Sequence, residues 1–335
     1  MKGRVQLERV GSQVLRDNFL GDPRTRDVVV YLPPGYGEDR GARYPVLFFL
    51  PGFTGTPLRA INSNPWQENI VERLDRLIAA GEAKPCIFVI PDCFTRYGGS
   101  QYMNSAGTGR YEDHVVRELV PYIDAKFATR ADRKHRAVMG KSSGGFGALW
   151  LASRNPKVFA HAASHSGDML FDAVYGREMG PCVNRLEAYG GRFAGFLKRF
   201  NKAPARQRGE FPHELVNMAG MSSCYSPAPR SSLGFDIPFD ENTGQIVEPV
   251  WRRWLACDPL QWASARASAL RSLDTLFFDC GRKDEFYLHL GARALSRELK
   301  RLGVPCRCEE HDFGHMNMAE RYDVSLKLLT RAIAR

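Results

Sequence analysis

HRAVMGKSSGGFGALW, residues 135–150, sets two adjacent serines among glycines, between a short apolar run and a helical pattern. Two readings compete for it. A phosphate-binding loop needs G-x-x-x-x-G-K-[ST], with flexible backbone ahead of the lysine to wrap the anion. Gly140, Lys141 and Ser142 supply its end, but its first glycine falls on His135, and Ala137, Val138 and Met139 read as a strand. The chain cannot curl around a phosphate there, so this reading fails. The second reading fits: Gly140-Lys141-Ser142-Ser143-Gly144 is G-x-S-x-G at a strand-to-helix turn. Such a turn strains the nucleophile's backbone and needs small residues two positions away on each side. Ser142 has Gly140 and Gly144 there, whereas Ser143 would have Lys141 and Gly145. Ser142 is therefore the candidate nucleophile. Ser143 offers its backbone N–H at the helix start to a developing oxyanion.

A serine hydroxyl is a weak nucleophile at neutral pH and requires a base that an acid orients. Where a G-x-S-x-G elbow of the α/β-hydrolase type carries the serine, these partners follow in the order serine, acid, histidine, at successive strand ends. After the strand-like TLFFDCG comes RKDEF, with Asp284 in the loop and Glu285 beside it. Asp279 still lies within the strand and reads as structural. The next strand leads into EEHDFGHMN, where His315 follows a Phe-Gly turn and His311 sits at the strand end. Asp284 ranks ahead of Glu285 and Asp279, and His315 ahead of His311. A further oxyanion donor is expected after the third strand, where FLPGFTG places the Phe53 N–H beside Gly52.

The rest of the chain supports the same architecture. VQLERV and TRDVVVYLPPGY open it as strands, and YPVLFFLPG and KPCIFVIPDC carry continuous apolar runs, the mark of strands buried on both faces. Helical patterns alternate with them in NPWQENIVERLDRLIAAGE, RYEDHVVRELVPYIDAKF and FYLHLGARALSRELKRLG. This rhythm predicts an α/β fold, a mainly parallel central sheet with helices on both faces. It breaks over about 168–258, rich in Gly, Pro and aromatics, with helical stretches such as NRLEAYGGRFAGFLKRF. That segment is read as a cap-like insertion in a single domain spanning 1–335.

Together, VYLPPGY, YPVLFFLPGFTG, YEDHVVRELVPYID, GKSSGGFGAL, DCGRKDEF and HDFGHMN resemble the putative-esterase family of α/β hydrolases. That group includes esterase D (S-formylglutathione hydrolase), feruloyl esterases, enterochelin esterases and mycolyltransferases. The resemblance covers the chain outside the insertion. It implies Ser142 as nucleophile, Asp284 as acid, His315 as base, and Phe53 and Ser143 as oxyanion donors. Pro51 stands where relatives often carry histidine, and Lys141 where many have Gln, Glu or His.

The implied activity is hydrolysis of a small carboxylic ester or thioester through an acyl-enzyme. The alternatives are acyl transfer from the same intermediate and a non-catalytic binding protein on the same fold. RYGGSQYMNSAGTG follows a strand end, where open α/β sheets bind ligands, so Gln101, Tyr102 and Asn104 are candidate substrate contacts. Trp251, in WRRW, either lines the substrate site or anchors the insertion. Asp168, after SHSG, either faces the pocket or caps a helix.

The formal net charge is +10, but the 47 basic residues are scattered without a basic–aromatic ladder, which argues against nucleic acid. No cofactor or metal is expected. Cys306 and Cys308 alternate along a strand, and Gly314 opposes a helix that would bring His311 and His315 together as ligands. The 8 cysteines have irregular spacing and apolar contexts, so buried free thiols are expected. The N-terminus lacks a signal-peptide core and no segment approaches a membrane span, from which a cytoplasmic location is expected. Oligomeric state is left open.

Overall fold

The computed structural model describes Met1–Arg335. Its centre is an 8-stranded sheet. The strands are β1 (Arg4–Gly11), β2 (Thr25–Leu32), β3 (Val46–Leu50), β4 (Ile87–Pro91), β5 (Arg136–Lys141), β6 (His161–His165), β7 (Thr275–Gly281) and β8 (Arg307–His311). Their spatial order is β1-β2-β4-β3-β5-β6-β7-β8. The pairs β1–β2 and β2–β4 are antiparallel, and every pair from β4 through β8 is parallel. This is the mainly parallel sheet anticipated from the strand–helix rhythm.

The continuous apolar runs have a simple physical cause. Alternate residues of a strand face opposite sides of the sheet, and here both sides are covered. Val46, Phe48 and Leu50 enter one hydrophobic cluster, while Leu47 and Phe49 enter another across the sheet. The smaller cluster is closed by α1 (Ile70–Ala79) through Leu74 and Leu77, and by α9 (Arg321–Ile333) through Leu326 and Leu329. Asn69 starts α1 with a capping box: its side chain accepts from the Glu72 N–H, and the Asn69 N–H donates in turn to the Glu72 carboxylate. The larger cluster holds α2 (Val120–Lys126), α3 (Ser143–Arg154) and α8 (Leu288–Arg301).

The helix predicted over RYEDHVVRELVPYIDAKF is not uniform. A π-helical turn covers His114–Leu119 immediately before α2. Pro121 has no N–H to give to the carbonyl four residues back, and widening the preceding turn accommodates its ring.

Residues between β6 and β7 fold as helices: α4 (Met179–Leu186), α5 (Phe193–Lys202), α6 (His213–Tyr225) and α7 (Glu248–Leu255) are the longer ones. Gly190 and Gly191, with φ of 74° and 69°, separate α4 from α5 within what the sequence shows as one helical pattern. Phe193, Phe196, Met218 and Trp254 from this segment join the larger cluster. The segment therefore shares a core with the sheet.

Candidate active site

Strand register assembles the site. Leu50 of β3 pairs with Gly140 of β5, Lys141 with His165 of β6, His165 with Asp279 of β7, and Gly281 with His311 of β8. The loops leaving the carboxyl ends of these parallel strands consequently emerge along one rim. Gly52, Phe53, Ser142, Ser143, Asp168 and His315 all line one cavity there, of about 460 Å³.

Ser142 sits between β5 and α3 with φ 57° and ψ −126°, a conformation an L-residue adopts only under constraint. Its N–H donates to the His165 carbonyl at 2.9 Å, and its own carbonyl accepts from Phe146 N–H at 2.9 Å. The flanking glycines are required by space. A Cβ on Gly140 would lie 2.4 Å from the Gly144 backbone, and one on Gly144 would lie 1.9 Å from the Leu50 carbonyl oxygen. The Ser142 hydroxyl makes no capping bond to its helix.

The loop after β3 comes up against this turn. A Cβ on Gly52 would be 3.2 Å from the Lys141 carbonyl oxygen and 3.4 Å from Ser142 Cβ. Thr54 N–H donates to Gly98 O at 2.8 Å and Gly55 N–H to Gly52 O at 2.9 Å, while Phe53 N–H has no acceptor within the protein. Ser143, as the first residue of α3, has no intrahelical acceptor for its N–H. Two free amide donors thus flank Ser142.

His315 Nδ1 lies 2.8 Å from Asp284 Oδ2. Asp284 Oδ1 accepts from Phe286 N–H at 3.0 Å. Burial would push this carboxyl up, but the bond to His315, the histidine's charge and the backbone N–H groups outweigh it and hold Asp284 below its ordinary value. Glu285 has a different task, accepting the backbone N–H of His315. A tight turn returns His315 over the sheet: a Cβ on Gly281 would lie 1.9 Å from the Phe313 carbonyl oxygen. Gly314 N–H is held at 2.8 Å by Asn317 Oδ1.

The alternatives separate cleanly. Asp279 is engaged by His165 Nδ1 at 2.6 Å and by Arg321 Nε at 2.8 Å. His311 is buried with neither ring nitrogen hydrogen-bonded.

None of Gln101, Tyr102, Asn104 and Trp251 lines the cavity. Gln101 is fully buried and donates through Nε2 to Asp168 Oδ2 at 3.1 Å and to Tyr225 OH at 2.7 Å. Tyr102 OH donates to the Pro51 carbonyl at 2.5 Å, bracing the loop that carries Phe53. Asn104 accepts from Asp113 N–H at 3.1 Å in a short hairpin. Trp251 Nε1 donates to Asp172 at 3.1 Å and its ring packs on Trp254, so it ties the inserted segment together. These groups are polar or aromatic, as substrate contacts are, but internal partners engage Gln101 Nε2, Tyr102 OH, Asn104 Oδ1 and Trp251 Nε1. Asp168 does face the cavity. The helix end it was weighed for is served instead by Asp258, which accepts from Leu170 and Phe171 N–H.

Phe286, Leu288 and Met316 add to the walls from the segments after β7 and β8, and a further wall, not expected from the sequence, comes from the inserted segment. His213, Asn217 and Met221 recur every four residues on α6 and all reach the cavity; Val174, Tyr175 and Glu178 reach it from the segment before α4. The four-residue spacing was visible, but a helix buried almost all round does not announce which face meets a void. Burial pushes Glu178 up to about 7, against the bond from Asn217, and raises Asp168 as well. It lowers His213 and Lys141.

A hydroxyl on a strained turn, an imidazole held by a carboxylate and two free amide donors around one cavity suit attack on a carbonyl carbon. Known proteins point the same way. Over 146 residues the chain is 34% identical to an endo-1,4-beta-xylanase/feruloyl esterase of Xylanibacter ruminicola, covering 41% of this chain and 19% of that protein. Over 142 residues it is 37% identical to an esterase of Mycobacterium tuberculosis, covering 42% of this chain and 28% of the other. The chain therefore matches well under a third of the length of these relatives. Among solved structures, a ferulic acid esterase superposes with TM-score 0.64 at 23% identity over 99% of both chains. An S-formylglutathione hydrolase from Agrobacterium tumefaciens does so with TM-score 0.57 at 16% identity, over 99% of this chain and 96% of that one. At such identities the likeness speaks for the α/β-hydrolase fold. No helix is long and apolar enough to cross a membrane. The family model for putative esterases matches residues 22–301, and the chain belongs to that family.

Proposed function

We propose that the protein hydrolyses a small carboxylic ester or thioester, with Ser142 as nucleophile, His315 as general base and Asp284 as the acid that orients it. The observation that carries this reading is the 2.8 Å bond from buried Asp284 to His315, which lines the same cavity as Ser142. Ser142 Oγ bonds to the carbonyl carbon and its proton passes to His315 Nε2. The oxyanion is received by the N–H groups of Phe53 and Ser143; each such donor contributes on the order of 3 kcal/mol to the transition state. The carbon–oxygen or carbon–sulfur bond then breaks, and His315 returns the proton to the departing alcohol or thiol. Water repeats the sequence on the acyl-enzyme and frees the acid and Ser142.

Residues 1–335 act as one hydrolase unit in this reading, with about 168–258 as the cap that shapes the pocket. Apolar walls from Val174, Met221, Phe286 and Leu288 suit an acyl chain or aromatic group. Ferulate esters and S-formylglutathione, named for the structural neighbours, are the first substrates to try. Eight unpaired cysteines support a reducing, cytoplasmic setting. Activity on p-nitrophenyl acetate should fall by at least about 1,000-fold in Ser142→Ala, and a fluorophosphonate probe should label the wild type but not the variant. Full activity in Ser142→Ala would overturn the assignment.

A further inference from the structure

Asp168 and Glu178 are only 5% and 8% exposed, yet no Lys, Arg or His forms an ion pair with either. Each carboxyl is half satisfied. Asp168 Oδ2 accepts from Tyr175 OH at 2.9 Å and from Gln101 Nε2 at 3.1 Å, and Glu178 Oε2 accepts from Asn217 Nδ2 at 2.9 Å. The other oxygens, Asp168 Oδ1 and Glu178 Oε1, receive no bond from the protein. They are not among the sealed polar atoms that lack a partner, so both open onto the cavity both residues line. Buried carboxyl groups demand donors, because an unmet one pays the full desolvation penalty. Here the fold fixes one oxygen of each and leaves the other facing the space where a substrate enters. Val174, Tyr175 and Met221 line the same cavity.

We propose that Asp168 and Glu178 form a subsite for a hydrogen-bond donor, a hydroxyl or an ammonium, carried by the substrate on one of the groups flanking the scissile bond. The proposal rests on the ester-hydrolase reading of the same cavity and deepens it. Esters with such a donor are preferred over equally long esters ending in methyl, because a site built to bond a donor strongly rejects the analogue that leaves its acceptors dry. Gln101 and Tyr175 act as positioning residues that aim the Asp168 carboxyl.

Two homologous series test it, with hydroxyl, ammonium and methyl termini placed first on the acyl chain of p-nitrophenyl esters and then on the alcohol half of acetate esters. The readout is the ratio of kcat/KM between termini on the same enzyme, so any loss of folded protein in a variant cancels. In one series the wild type should favour a donor terminus by about tenfold or more. Glu178→Leu and Asp168→Leu should each bring that ratio toward unity. Glu178→Gln, which keeps an acceptor but removes the charge, should retain preference for the hydroxyl and lose it for the ammonium. A ratio within about twofold of unity in both series, or one untouched by Glu178→Leu and Asp168→Leu, overturns the subsite. Fluorophosphonate labelling of Ser142 and turnover of p-nitrophenyl acetate are measured alongside. Their failure in the wild type defeats the hydrolase reading, whereas a flat ratio with both intact defeats only the subsite.

Discussion

Glu178→Gln should make the protein more stable above neutral pH and change little in mild acid. Burial lifts the Glu178 carboxyl from its ordinary 4.5 to about 7, because the charged form loses more hydration in the cavity wall than the Asn217 bond returns. Between those values the folded chain keeps a proton that the unfolded chain has released. The folded state then binds more protons, so unfolding free energy falls as pH rises through this window and levels off above it. At about 1.4 kcal/mol per pH unit the gap amounts to about 3 kcal/mol at full ionisation. Glutamine has no proton to lose and still accepts the Asn217 bond. Urea unfolding of both proteins, from about pH 5 to about pH 8, should show their stability difference growing by 2–3 kcal/mol. Thermal unfolding should show a gap on the order of 5 °C opening over the same range. Asp168 and Asp258, also raised by burial, are common to both proteins and largely cancel. A difference constant within about 0.5 kcal/mol would mean that Glu178 titrates alike folded and unfolded, and the burial reasoning would fail.

The elbow and the loop facing it can be tested separately. Gly144→Ala places a Cβ 1.9 Å from the Leu50 carbonyl oxygen, against backbone that cannot rotate aside, and should destabilise the fold by about 3 kcal/mol or more. Gly180→Ala, on a helix with nothing within 4 Å, is the control and should stabilise by about 0.5–1 kcal/mol in the same denaturation assay. Tyr102→Phe removes the 2.5 Å bond to Pro51 and leaves that carbonyl short of a donor, at about 1–2 kcal/mol. Because Pro51 leads into Gly52 and Phe53, kcat on p-nitrophenyl acetate should fall while KM stays near its wild-type value. A raised KM with unchanged kcat would instead make Tyr102 a substrate contact.

The strained turn at Ser142 was legible because its constraints are local. Gly140 and Gly144 are needed within two residues of Ser142, and their spacing survives in one dimension. Continuous apolar runs at Val46–Leu50 and Ile87–Pro91 likewise betray burial on two faces without knowledge of the neighbours. Asp284 and His315 could be ranked because they follow successive strands in the chain, in the order that the resemblance to the family implies. The substrate contacts were different. Gln101, Tyr102 and Trp251 have side chains suited to a ligand, and only packing reveals that Asp168, Pro51 and Asp172 already hold them.

The sequence by itself determined the sheet and the strained turn at Ser142, since each follows from short-range sterics or hydrophobic period; the ranking of Asp284 and His315 came with the family resemblance. The tertiary structure alone decided the pocket. His213, Asn217 and Met221 meet Glu178 and Asp168 only because α6 lies across the strand ends, and two half-satisfied carboxyl groups arise only where burial removes their water. Desolvation is a property of the assembled wall. No run of residues read alone carries it.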